Sequence, residues 1–169
     1  MRVTQKGIDL IKFYEGCPTN NKGLCIPYIC SAGYWTIGFG NRFLFDGREV
    51  TSKTAPITKT DADKLFHLYI QNVEREVLSV VKVHLSDNQL SALVSFVYNL
   101  GIGRLKSSTL LKKLNKGDYT GASQEFPKWN NETKNGVLVP SSGLTKRRKA
   151  EQELFLTSTL QTRKWTYRV

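Results

Sequence analysis

Glu15 stands directly before Gly16, at the foot of residues 4–14, where Ile8, Ile11 and Tyr14 recur at helical spacing. Gly is a natural helix stop, so the pattern predicts a helix that ends at Glu15-Gly16. A carboxyl in that place faces the negative pole of the helix dipole. With partial burial, this setting favours the protonated form that a general acid needs. The plain alternative is an ordinary exposed Glu beside a Gly.

Downstream, Trp35-Thr36-Ile37-Gly38-Phe39-Gly40 alternates with period two and predicts a strand. Trp35, Ile37 and Phe39 would share one face, and Thr36, Gly38 and Gly40 the other. The second face is a nearly bare floor with one hydroxyl, over which a flat sugar ring can approach the backbone. A bulged edge strand also favours Gly and is the alternative. Cys17, Cys25 and Cys30 lie close together, but three thiols cannot all pair within one chain. Their spacing does not give the four ligands of a structural zinc site, and His67 and His84 are far away. Buried thiols in a reducing compartment are the bland reading.

The chain that must position these groups has 169 residues, enough for one compact domain of two small lobes. Hydrophobic residues make up 40%, which excludes a wholly disordered chain. No apolar run reaches membrane-spanning length. The start alternates polar and apolar residues without a small-residue cleavage site, so no signal peptide is expected and synthesis in a cytoplasm is. Lys and Arg number 25 against 14 Asp and Glu, a balance of 25 − 14 = +11. Such a surface attracts polyanions: nucleic acid, anionic lipid or acidic cell wall. No zinc-ligand spacing or RNA-recognition sequence supports the first. Solvated helix faces account for the charge equally well.

Along the chain, residues 16–34 read as loop, and 34–51 as a small antiparallel sheet with a hairpin turn at Asp46-Gly47. Thr60 with Asp63 suggests a cap for a helix running to about residue 82, with Leu65, Leu68, Tyr69, Val73 and Val77 on one stripe. Ser86 with Gln89 is a capping box, opening a helix that Gly101 stops. Short helices are expected over 108–115 and 119–126, a polar loop over 130–143, and a basic helix over 145–157 with Leu154 and Phe155 inward. The order predicts an α+β protein. It has a small mixed lobe (1–60), a connecting helix (60–82), a larger helical lobe (83–157) and a basic tail (158–169). A substrate cleft is expected between the lobes.

FYEG at 13–16 followed by PYICSAGYWTIGFGN at 27–41 resembles the phage-type lysozymes, or endolysins, of glycoside hydrolase family 24. The likeness continues through residues 90–130 and 143–156, and the four pieces stand in the family's order. The resemblance implies a lysozyme-like fold and a catalytic Glu, Asp or Cys, and Thr, with five residues between the last two. Glu15, Cys30 and Thr36 fit those places. Two departures stand out. The stretch between Glu15 and Cys30 is longer than usual, and the second place holds Cys rather than Asp.

What the resemblance implies is cleavage of the β-1,4 bond between N-acetylmuramic acid and N-acetylglucosamine in peptidoglycan. Glu15 would protonate the glycosidic oxygen. Cys30, as thiolate, would stabilise the oxocarbenium charge, help activate water or attack as nucleophile. A free thiol ionises near ~8.5, so such a site either activates its thiol or gains activity as pH rises. Thr36 would hold the water. By match, Gly40 and Arg42 would contact the sugar, with Tyr98 and Thr109 on the helical side of the cleft; core packing and helix capping are the alternatives for the last two. Arg147 resembles an Arg that pairs with the catalytic Glu, an effect that opposes the helix dipole.

Some relatives are held inactive by a disulfide that captures the catalytic Cys, so a pairing of Cys17 with Cys25 that leaves Cys30 free is the expectation for an oxidising periplasm. No metal or cofactor is implied, and a single copy of the chain is expected to act. Release to the wall implies a holin. Arg163, Lys164, Trp165, Tyr167 and Arg168 in the tail suit contact with an anionic outer membrane, or simply solubility. A lytic transglycosylase is the nearest rival. A basic nucleic-acid-binding module and a non-catalytic wall-binding protein are the rivals from other classes.

Overall fold

The computed structural model describes residues 2–30, 33–134 and 136–157. The basic tail expected to meet a membrane lies outside them. Helix α1 (Gln5–Glu15) starts where the Thr4 hydroxyl accepts from the Gly7 amide, and ends at Gly16, whose φ of +67° no other residue adopts easily. Glu15 is therefore the last helical residue. Gly7 faces α3 (Asp87–Leu100), where an added methyl would stand 2.6 Å from the Ser91 Cβ.

The small lobe departs from the expected sheet. Strand β1 (Tyr28–Ile29), within the stretch read as loop, pairs antiparallel with β2 (Trp35–Thr36) in the register Tyr28↔Thr36. The strand expected over 35–40 stops at Thr36, because Gly38 and Gly40 take φ values of +62° and +90° and fold the chain back in a turn closed by Ile37 and Asn41. Gly38 is then no part of a bare floor: a Cβ there would press 3.1 Å from that of Ala62. The turn at Asp46-Gly47 forms as expected, between the paired Phe43 and Glu49. Cys17 and Cys25 are joined in a disulfide, with Cα atoms 6.2 Å apart, and Cys30 is a free thiol.

Helix α2 (Lys59–Val80) is capped by Thr58, whose hydroxyl accepts from the Asp61 amide, and not by Thr60. The extended backbone of Thr58 is what a cap requires, whereas Thr60 already lies in the first turn. Its buried stripe is Ala62, Leu65, Phe66, Ile70, Val73 and Val77. Leu68 and Tyr69, expected on that stripe, are exposed instead. Ala62 and Leu65 close a small core with Cys25, Ile37 and Val50, while Phe66, Ile70 and Val73 enter the large core around α3. One helix thus serves both lobes.

The capping box of Ser86 and Gln89 opens α3, which is buried over most of its length. Gly101 ends it and starts α4 (Ile102–Ser107), a helix not expected from residue spacing. Then come α5 (Thr109–Leu114), α6 (Tyr119–Ser123) and a 3-10 turn (Phe126–Lys128), where one longer helix over 119–126 was expected. The stretch expected as loop folds into a hairpin of β3 (Asn131–Lys134) and β4 (Val137–Pro140), turning at Gly136. Helix α7 (Ser142–Leu156) packs on α3, with Leu154 and Phe155 buried. Among the described residues no helix is long and apolar enough to cross a membrane.

Candidate active site

Gly16 releases the chain from α1 at Glu15 and leaves its side chain only 20% exposed. Oε1 of Glu15 accepts from Arg147 Nη1 at 2.6 Å. Oε2 points the other way, 3.5 Å from where a Cβ would sit on Gly40. Gly40 therefore sets bare backbone beside Glu15, by a turn rather than by the strand expected.

Arg147 is buried, although α7 reads as a basic, solvated helix. Its fork is fully used. Nε donates to Glu151 Oε1 at 3.2 Å and Nη2 to the Ser95 carbonyl at 3.1 Å. Glu151 Oε1 also accepts from Ser95 Oγ at 2.7 Å and Arg148 Nη2 at 2.9 Å. Burial pushes the Glu151 carboxyl upward against the pull of the two guanidinium groups. Burial likewise lowers Arg148 to about 10. A buried cluster of this kind fixes geometry because each charge depends on its neighbours.

On the opposite wall, Thr36 Oγ1 donates to the Tyr28 carbonyl at 3.3 Å. That bond uses the hydroxyl proton of a residue only 2% exposed and leaves its oxygen as an acceptor. Cys30, half-buried, directly follows β1, and its amide donates to the Tyr34 carbonyl at 2.9 Å. Arg42 stacks over the Tyr34 ring at 3.8 Å and pairs with Glu49 at 2.7 Å. Tyr98 donates its hydroxyl proton to the Phe39 carbonyl, and burial holds its phenol well above the usual range. That bond ties α3 to the turn that carries Gly40.

Glu15, Cys30, Thr36, Gly40, Arg42, Tyr98 and Arg147 line one cleft of about 580 Å³. Thr109 does not line it. It lies exposed in the first turn of α5, which Ser108 caps, and α5 turns only leucines inward. The cleft also takes in Tyr28, Tyr69, Asn99, Glu132 and Ser141, none of them singled out in the sequence. Tyr69 was hidden by its apparent place on a buried stripe. Glu132 was hidden in the stretch read as loop, where only the run Val137-Leu138-Val139 hints at a strand. Among the described residues, no three His, Cys, Asp or Glu side chains converge as a metal ion would require.

The chain matches a known family along most of its length: the phage lysozyme model covers residues 14–151. The chain belongs to the phage lysozyme family. It is 41% identical over 155 residues to the endolysin of Acyrthosiphon pisum secondary endosymbiont phage 1, covering 92% of this chain and 98% of that one. Among solved structures, an endolysin from Escherichia coli O157:H7 phage FAHEc1 superposes with a TM-score of 0.81 at 34% identity, over 92% of this chain and 94% of the other. The muramidase domain of SpmX from Asticaccaulis excentricus follows at 0.77 and 32% identity, over 93% and 99%. For this member of the phage lysozymes the fold is lysozyme-like and α+β.

Proposed function

We propose that this phage lysozyme is an endolysin that breaks down bacterial peptidoglycan, hydrolysing the β-1,4 bond between N-acetylmuramic acid and N-acetylglucosamine. One observation carries the reading. Glu15 gives one carboxyl oxygen to Arg147 and turns the other toward Gly40, in a cleft that also holds Cys30 and Thr36. Names of relatives, endolysin and muramidase domain, support the same class.

A glycosidic oxygen laid over Gly40 takes its proton from Glu15 as the bond breaks. The sugar gains oxocarbenium character on the face toward the small sheet. Cys30, as thiolate, offsets that charge or draws the proton from water. Thr36, its own proton engaged by the Tyr28 carbonyl, accepts from that water and aims it. Gly40, Arg42 and Tyr98 hold the sugars, Arg147 fixes Glu15, and the Cys17–Cys25 bridge braces the inserted loop while leaving Cys30 free. Residues 1–60 serve as the catalytic lobe, 60–82 as the connecting helix, 83–157 as the helical lobe and 158–169 as the basic tail. The protein works as a single chain and reaches the wall from the host cytoplasm through a holin pore.

The test is lysis of purified peptidoglycan by the parent and by Glu15→Gln, with mass spectrometry of the fragments in heavy-oxygen water. Muramidase action predicts labelled reducing ends from the parent and a loss of about 10²–10⁴-fold in the variant. A 1,6-anhydro muramic end would instead establish a lytic transglycosylase, the rival that the Cys at position 30 keeps open. A fully active variant would remove Glu15 from the chemistry.

A further inference from the structure

Behind the cleft wall, one carboxylate oxygen gathers two side chains that reach the cleft floor. Arg147 and Arg148 lie four and three residues before Glu151 on α7, the spacing that puts side chains on one helix face. Ser95 and Asn99 share a face of α3 in the same way, and α3 packs on α7. Glu151 and Arg148 are fully buried. Oε1 of Glu151 accepts from Ser95 Oγ at 2.7 Å, Arg148 Nη2 at 2.9 Å and Arg147 Nε at 3.2 Å. Its Oε2 has no hydrogen-bond partner among the described residues. Arg147 goes on to Glu15, and Arg148 Nη2 also donates to Asn99 Oδ1 at 3.0 Å. Glu15 and Asn99 both line the cleft, whereas Glu151 stands behind it.

A buried ionic cluster is a poor source of stability, since packed apolar side chains of the same volume do as well or better. What it does supply is direction. A guanidinium is planar, so holding two of its nitrogens fixes where the third points. Glu151 holds Nε of Arg147 and the Ser95 carbonyl holds Nη2, which leaves Nη1 aimed at Glu15 Oε1. With Oε1 so engaged, Oε2 of Glu15 is the oxygen left beside Gly40. We propose that Glu151 is a positioning residue of the reaction: through its own Oε1 it aims Arg147 at Glu15, and so selects which carboxyl oxygen of Glu15 meets the sugar. The proposal rests on the muramidase reading and deepens it. Glu151 touches no substrate and acts only through Arg147.

Reach separates positioning from charge. Glu151→Asp keeps the charge but draws the oxygen back by about 1.5 Å. Glu151→Gln loses the charge but keeps an acceptor oxygen at full reach, and its amide nitrogen replaces an Oε2 that has no bond to lose. Both variants disturb a buried cluster, so both are expected to lower the urea midpoint of unfolding, and turnover tells them apart. On soluble peptidoglycan fragments, Glu151→Asp is expected to lower kcat about 10–10²-fold with KM within about twofold, as a misplaced reacting group does. Glu151→Gln is expected to recover kcat to within about threefold of the parent. In an Arg147→Lys background, where no planar fork is left to aim, Glu151→Asp is expected to change kcat by less than about twofold. If the aspartate variant does not fold, Ser95→Ala decides: it removes one donor from Oε1 at constant charge and is expected to lower kcat about threefold. An unchanged kcat in the deciding variant overturns the proposal. So do equal losses in Glu151→Asp and Glu151→Gln, or an undiminished loss in the Arg147→Lys background. A parent that cleaves no glycan sinks the muramidase reading itself. A cleaving parent with any of those outcomes sinks only the role of Glu151.

Discussion

Arg147 Nη1 lies 2.6 Å from Glu15 Oε1, a bond that ties the last helix to the foot of the first across a separation of 132 residues. The guanidinium is only 3% exposed and also serves Glu151 and the Ser95 carbonyl. Arg147→Met leaves Glu15 and the buried Glu151 short of a cation, and is expected to cost about 3–5 kcal/mol. Arg147→Lys recovers only part of this, because an ammonium cannot span three acceptors with fork geometry. Urea unfolding of both variants checks the order. A methionine variant as stable as the parent would show that the network contributes nothing.

Gly40 places backbone where a side chain would intrude. An alanine there must adopt a φ of +90° and set its methyl 3.5 Å from Glu15 Oε2. Backbone strain of about 1–2 kcal/mol is expected, with a larger effect on turnover, about 10²-fold, since the floor beneath the bond is displaced. Paired lysis and unfolding assays separate the two. Loss of stability without loss of rate would mean that nothing is bound over Gly40.

Glu125 gives the fold an acid-sensitive point away from the cleft. It is only 4% exposed and accepts from Lys113 at 2.6 Å and Lys128 at 2.9 Å, which hold its carboxyl below the usual range. A depressed folded value means that the unfolded chain takes up the proton first as pH falls. The contribution is complete above the unfolded value and fades as pH drops through the folded one. Urea midpoints taken from pH 6 downward are expected to fall more steeply for the parent than for Glu125→Gln. Parallel curves would refute this.

The described cysteines divide into a bonded pair, Cys17 and Cys25, and the free thiol of Cys30. The Cys17–Cys25 bridge closes a short loop, and Cys25 is fully buried beside Ile37 and Val50. By chain entropy its loss is expected to cost about 2–3 kcal/mol, measured with Cys17→Ser or under reductant. Cys30→Ala is expected to leave stability within about 0.5 kcal/mol while lowering lysis about a hundredfold. Unchanged lysis would leave Cys30 as a bystander.

What the sequence determined by itself lies within one or two turns of chain. Thr4, the Ser86 and Gln89 box, Gly16 and Gly101 act on backbone groups three or four residues away, so their helices begin and end as read. Thr36 and the amide of Cys30 are joined to one small sheet by equally local bonds, to Tyr28 and to Tyr34. Tertiary structure decided the rest. Gly38 and Gly40 tolerate a strand or a turn equally, and the folded chain takes the turn, closed by Ile37 and Asn41. Leu68 and Tyr69 fit a helical stripe, but the cores lie on the other side of α2 and leave both exposed. Arg147 stands on a helix that reads as basic and solvated, and only packing brings Glu15, 132 residues away, to meet it in the interior beside Glu151 one turn along. Short-range hydrogen bonds can be read from neighbouring letters, whereas burial depends on which surfaces meet, and that is settled only when the whole chain packs.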